Sequence, residues 1–221
     1  MYSIKKTIFF IVFLNLVLTR AFCDSRMVPE SELVPTKEHV IATKLITELL
    51  ENYHYKPVKL NDGLSSLIFE RYINALDPMK IYFTKEDIIE FEQHKIKLDD
   101  YLNKASLMPL FEIFKKFRAK LIIRAENAIS IVKNNNFNFE LDETISLDRD
   151  QAEWANSESA LDQIWRKKLK NETLNLKLNG KSDAAYKKTI TQRYEGLARR
   201  TKQLNSDDIY QIIINSYTTS I

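Results

Sequence analysis

The chain has 221 residues, with 33 Lys and Arg against 30 Asp and Glu, for a formal net charge of +3. Lys5, Lys6 and Arg20 carry that whole excess, because no acid precedes Asp24. A body that is neutral from Asp24 onward argues against a polyanion partner such as nucleic acid held by bulk charge, and three glycines in the whole chain remove most phosphate-cradling loops. The length suits one domain or two small ones, and a body of this size buries roughly 70% of its unfolded surface.

The N-terminus predicts an export signal over residues 1–23. Lys5 and Lys6 form its charged start, Ile8 to Leu18 an apolar run broken only by Asn15, and Ala21-Phe22-Cys23 a peptidase site. Cleavage is expected between Cys23 and Asp24. The run is shorter than the ~20 residues a spanning helix needs, so no stable membrane span is expected after cleavage. An uncleaved anchor and a lipid-modified Cys23 are the alternatives, the second disfavoured by bulky Phe22. Cleavage would leave no cysteine, hence no disulfide, thiol nucleophile or thiolate metal site.

Residues 24–35, with two prolines and scattered charge, predict a flexible lead-in. Thr36 is placed to cap a first helix whose face is Ala42, Leu45, Ile46, Leu49 and Tyr53. Lys56-Pro57 and Asn61-Asp62-Gly63 mark a turn. Leu64, Leu67, Ile68, Arg71, Tyr72, Ala75 and Leu76 outline a second helix, stopped by Asp77-Pro78 because the residue before proline disfavours helical angles. Thr84 opens a third, with Ile88, Phe91, Lys95, Leu98 and Leu102 as one continuous stripe. Ser106 and Pro109 open a longer fourth helix along Leu110, Phe114, Phe117, Leu121, Ala125, Ala128 and Val132.

Asn134-Asn135-Asn136 ends that helix. Phe137, Phe139 and Leu141 alternate with polar residues, which allows a short strand or an extended arm. Ser157 starts a helix through Leu161, Trp165 and Leu169, with Asn179-Gly180 as its stop. Ser182 caps the next, through Tyr186, Ile190, Arg193, Tyr194, Leu197, Thr201 and Leu204. Ser206 caps a last one through Tyr210, Ile213, Ile214 and Tyr217. The body reads as all-α, a multi-helix bundle over 36–221, in one domain or in two helical lobes joined by an arm near 134–156. The helix ending at Thr218-Thr219-Ser220-Ile221 has no capping tail, which favours a chain cut before its continuation over a frayed terminus.

No chemistry assembles from spacing alone. His39, His54 and His94 do not pair at i+3 or i+4, so no helical zinc motif is present, and they read as surface or half-buried side chains. There is no Gly-x-Ser-x-Gly elbow. Asp99-Asp100 and Asp207-Asp208 read as exposed and helix-start acids rather than general acid/base pairs. The basic runs Lys115-Lys116-Arg118-Lys120, Arg166-Lys167-Lys168-Lys170 and Arg199-Arg200-Lys202 read as solvated helix faces. No cofactor, metal or catalytic residue is expected. An enzyme with an unrecognised helical active site is the reading least supported by the residues.

A resemblance emerges at Phe69-Glu70-Arg71-Tyr72-Ile73-Asn74-Ala75-Leu76-Asp77 followed by Tyr82-Phe83-Thr84-Lys85-Glu86-Asp87. Asn138-Phe139, Leu147-Asp148-Arg149 and Trp154 continue it. So do Leu161, Trp165, Leu174-Asn175-Leu176-Lys177-Leu178-Asn179-Gly180-Lys181, Arg193-Tyr194, Arg199-Arg200 and Asn205-Ser206-Asp207-Asp208-Ile209-Tyr210. In this order the residues resemble the N-terminal helical region of bacterial tail-specific proteases, the exported carboxy-terminal-processing serine proteases, over roughly 36 to 221. The resemblance implies a periplasmic, non-catalytic domain that packs against PDZ and protease modules and docks adaptor or substrate proteins. The catalytic serine and lysine belong to the family's downstream core, so no position here inherits a catalytic role. Asp77, Trp154, Trp165, Gly180, Arg193, Tyr194 and Arg199 match the family by position and are expected to serve fold or domain contact. A stand-alone periplasmic interaction module is the alternative, and burial of the last helix within this chain is the feature that would favour it.

Overall fold

The computed structural model describes residues 26–55, 59–134 and 137–221. The export segment, its Cys23–Asp24 cleavage point, the Lys56-Pro57 turn and Asn135-Asn136 lie outside the described residues. Eight α-helices follow one another among those described: α1 (Lys37–Tyr53), α2 (Asp62–Leu76), α3 (Lys85–Phe91), α4 (Leu98–Asn103), α5 (Met108–Asn134), α6 (Glu158–Leu178), α7 (Asp183–Gln203) and α8 (Ser206–Thr218). No strand forms among the described residues. A single parallel bridge pairs Thr84 with Ala155. The all-α bundle expected from the apolar spacing is therefore the observed fold.

Side-chain caps set most of the helix starts. Thr36, Thr84 and Asn205 each accept from the N3 amide, while the N3 side chains His39, Asp87 and Asp208 return to the capping residue's own amide. Asn61, Ser157 and Ser182 cap α2, α6 and α7 from their side chains alone. Thus α8 is capped by Asn205, one residue before the expected Ser206. Helix α6 stops at Asn179-Gly180 as its sequence predicts. Gly180 takes φ 78°, and the Lys181 amide returns to the Leu176 carbonyl at 3.1 Å. A similar return from the Ser106 amide to the Tyr101 carbonyl closes α4 through Ala105 at φ 50°. This turn moves the start of α5 to Met108.

Two apolar clusters form the interior. One is built on Tyr72, Phe83, Phe111, Phe114, Ile213 and Tyr217, from α2, α5, α8 and the turn after α2. The other is built on Ala125, Val132, Trp165, Leu169, Ile190 and Tyr194, from α5, α6 and α7. Helix α5 serves both, the first with its N-terminal half and the second with its C-terminal half. Every residue of its expected stripe is buried. Tyr82 and Leu197 pack against both clusters. The segment from Phe137 to Ala155 crosses the surface without a helix.

Three local expectations need correction. The stripe expected over 84–102 is not one helix: α3 passes into a 3-10 turn at Glu92–His94, and α4 starts separately at Leu98. Ser65 on α2 makes the break tolerable, because its hydroxyl donates to the Lys95 carbonyl at 2.9 Å and accepts from the Leu98 amide at 2.7 Å. Helix α1 is rotated from its expected face. His39, Thr43 and Thr47 are buried, whereas Leu45, Leu49 and Tyr53 are exposed. The lead-in, where described, is tethered: Leu33 is fully buried, and the Val28 amide donates to the Lys202 carbonyl at 2.8 Å.

Candidate functional site at the Asp77–Thr84 turn

Most of the sequence-selected residues converge on the turn between α2 and α3. Asp77 is fully buried, and its carboxylate accepts from three backbone amides, those of Ile81 at 2.9 Å, Tyr82 at 2.8 Å and Phe83 at 2.9 Å. The turn needs this acceptor because Lys80 sits at φ 52° and turns consecutive amides inward. Burial pushes the Asp77 carboxyl above its ordinary range, opposed by the three amides and by the positive charge of Arg149.

The carbonyl side of the same turn is also used. Trp165, on α6, donates its indole N–H to the Ile81 carbonyl at 2.8 Å. Tyr82 stands edge-on to Phe117 at 5.5 Å and 5.9 Å from the Trp165 ring. Its hydroxyl is pushed up to about 12, by burial first and then by the Asp77 charge. Tyr194, on α7, lies 5.7 Å from Trp165 and donates its hydroxyl to Glu172 at 2.9 Å. Glu172 also accepts from Arg193 at 3.0 Å and from Lys168. Burial and the Glu172 carboxylate raise the Tyr194 pKa.

The arm closes over the turn from the other side. Arg149 donates to the Met79 carbonyl at 3.2 Å, and Lys80 reaches the Ala152 carbonyl at 2.6 Å. The Lys85 amide donates to the Ala155 carbonyl at 2.8 Å. Trp154 is half-buried, 6.3 Å from Phe83, with the Lys80 ammonium 5.6 Å from its ring. Farther along, Glu143 anchors the arm to α6 through Arg166 and through Lys170 at 2.7 Å. These partners hold the Glu143 carboxyl down at about 2, Arg166 contributing most.

Asp77, Trp154, Trp165 and Tyr194 thus form one junction, with Arg193 at its edge. Gly180 sits apart, at the end of α6, and Arg199 is exposed on α7. Glu143 and Glu172 had no sequence signal beyond a single acid, because their partners come from other turns and helices. His39 is buried rather than at the surface or half-buried. Its ring accepts from the Thr36 amide through Nδ1 at 3.1 Å, stacks on Tyr210 at 4.4 Å and donates from Nε2 to Asp207 at 2.8 Å. The basic runs are drawn largely into ion pairs, such as Lys120 with Asp87 and Glu158, and Lys168 with Glu172.

A cavity of about 420 Å³ lies between the Phe91–His94 turn and the start of α5, lined by Phe91, Pro109 and Ile113. Both lysines that line it are already paired, Lys116 with Glu90 and Lys115 with Glu112. No group of three potential metal ligands occurs among the described residues. Nor is any described helix long and apolar enough to cross a membrane.

The fold and this junction define an all-α domain whose buried polar groups hold a turn, an arm and two helices together. Residues 46–221 match the family described as Tail specific protease N-terminal domain. The chain belongs to that family. It is 32% identical over 213 residues to the tail-specific protease of Haemophilus influenzae, an alignment covering 90% of this chain and 30% of that protein. The chain therefore spans about a third of the length of that relative.

Proposed function

We propose that this chain is the non-catalytic, N-terminal helical domain of an exported C-terminal-processing serine endopeptidase. Its work there is to pack against the other modules and to offer surface to an adaptor or substrate protein. One observation carries the reading: the residues through which the family resemblance runs, Asp77, Trp165 and Tyr194, are buried and bonded within the domain. Groups committed in this way hold a shape and leave no free nucleophile or base to meet a scissile bond. Peptide hydrolysis is then a property of the whole protease. Lys5, Lys6 and the Ile8 to Leu18 run direct the chain to the periplasm. The partners are proteins, and no nucleic acid or cofactor enters the reading.

The test is an exchange. This chain replaces the matching part of the Haemophilus influenzae protease, and the chimera is assayed on a peptide with an apolar C-terminus. The chimera should cleave, and the chain alone should not. Cleavage by the chain alone, or a folded chimera without activity, overturns the reading. Export is read separately: the mature protein from a periplasmic extract should begin at Asp24, and an intact Met1 terminus refutes the cleavage.

One observation favours the alternative of a stand-alone interaction module. Ile209, Ile213 and Tyr217 of α8 are buried inside this chain, with Tyr210 half-buried beside them. The last helix thus has its apolar face covered without any further domain.

A further inference from the structure

Helix α1 carries its polar residues inward and an apolar ridge outward. Ile41, Leu45, Leu49 and Tyr53 are 67%, 54%, 47% and 78% exposed. Spaced by four, they form one ridge along the helix, the kind that packs against another helix. The inward face is fixed by the contact of the buried His39 ring with Asp207 and by Thr43, whose hydroxyl donates to the His39 carbonyl at 2.7 Å and lies 3.3 Å from the Tyr210 hydroxyl. The outward ridge is therefore a settled feature of the fold.

The charges beside the ridge say what covers it. At 100° per residue, Lys37, Lys44, Glu48 and Glu51 all fall on one flank of Leu45. All four are exposed, and none forms an ion pair among the described residues. The basic pair lies toward the N-terminus of α1 and the acidic pair toward its C-terminus. That order opposes the helix dipole, which favours anions at the start and cations at the end. It becomes favourable when a second α1 lies antiparallel across the first. A two-fold axis at Leu45 sets Ile41 against Leu49 of the other copy, Lys44 beside its Glu48 and Lys37 beside its Glu51. The same operation repeats each contact on the opposite side, as a two-fold interface requires.

We infer that the outward face of α1 is a self-association surface, on which two copies of this chain pair antiparallel through Ile41, Leu45 and Leu49 with Lys44–Glu48 and Lys37–Glu51 ion pairs across the axis. The inference is independent of the proteolytic reading. One helix face is a small contact, so the pairing is weak and concentration-dependent.

Sedimentation equilibrium of the full chain tests it, from about 10 µM to about 1 mM and with reductant to keep Cys23 from cross-linking. The mass should rise from monomer toward dimer. Leu45→Glu should hold it at monomer with an unchanged circular dichroism spectrum. Lys37→Glu/Lys44→Glu gives an all-acidic flank, and Glu48→Lys/Glu51→Lys an all-basic one. Each alone should self-associate at least about tenfold more weakly than wild type, and their equimolar mixture should regain the pairing. A monomer at every concentration overturns the inference, whether the face is free or reserved for another module. So does association that survives Leu45→Glu, or a mixture that stays monomeric.

Discussion

Asp77 shows how much one side chain can organise. Its two oxygens accept from three buried amides, so removing them strands three donors at once. An unsatisfied buried donor costs ~1–3 kcal/mol, and Asp77→Ala should lose about 3–5 kcal/mol in urea unfolding, near the top of single-substitution effects. Asp77→Asn keeps one acceptor and should lose less. Equal losses would mean that the carboxylate's charge, not its acceptor count, holds the turn. From the sequence, Asp77-Pro78 announces only a helix stop, and resemblance alone marks Asp77 as a fold residue. The three amides it serves lie four to six positions on, in a turn without periodicity. Glu143 was not legible at all. Its folded pKa of about 2 lies below the ordinary 4.5, so its ion pairs stabilise above pH ~4.5 and are lost as pH falls toward about 2. Carboxyl carbon NMR should place its midpoint near the lower value, and Arg166→Leu should move that midpoint back up. A midpoint already near 4.5 in the wild type would show that the arm is not tethered there.

At the scale of elements, local chemistry was readable and orientation was not. The caps at Thr36, Thr84, Ser157 and Ser182 follow from residue type and position, and the stripe of α5 follows from spacing, because in both cases the cause lies within one helix. Helix α1 broke the rule. Its large apolar residues predict the buried face, yet His39, Thr43 and Thr47 face inward. Stacking on Tyr210 and bonding to Asp207, both in α8, decide the rotation, and these partners lie some 170 positions away in sequence. The break between α3 and α4 has the same origin. The spacing of Ile88, Phe91, Lys95, Leu98 and Leu102 fits one helix, but Ser65 supplies from α2 the donor and acceptor that the interrupted ladder lacks. Ser65→Ala should therefore cost about 1–3 kcal/mol, the range for a buried amide left without its partner. It should also speed hydrogen exchange at the Leu98 amide before any other site in α4. Unchanged exchange at Leu98 would show that the break is held by packing alone.

For the whole molecule, the question is whether two apolar clusters make one folding unit. The arm that the sequence marks as a junction lies on the surface, while α5 passes through both clusters with 27 residues, or roughly 40 Å at 1.5 Å per residue. A helix of that kind cannot lose one half of its packing without exposing backbone bonds in the other, because helical order in water depends on tertiary burial. Tyr82 and Leu197, which pack against both, add direct ties between the clusters. The two tryptophans report on different sides: Trp154 packs against the first cluster and Trp165 belongs to the second. In Trp165→Phe, fluorescence reports only Trp154, and in Trp154→Phe only Trp165. Within each variant, the fluorescence transition in urea should coincide with the helical signal, giving a single cooperative unfolding. Trp165→Phe should also lower the midpoint, since the buried Ile81 carbonyl loses its donor at a cost of ~1–3 kcal/mol. Two separated transitions would divide the molecule at the middle of α5, making each cluster a lobe that can open while the other stays closed.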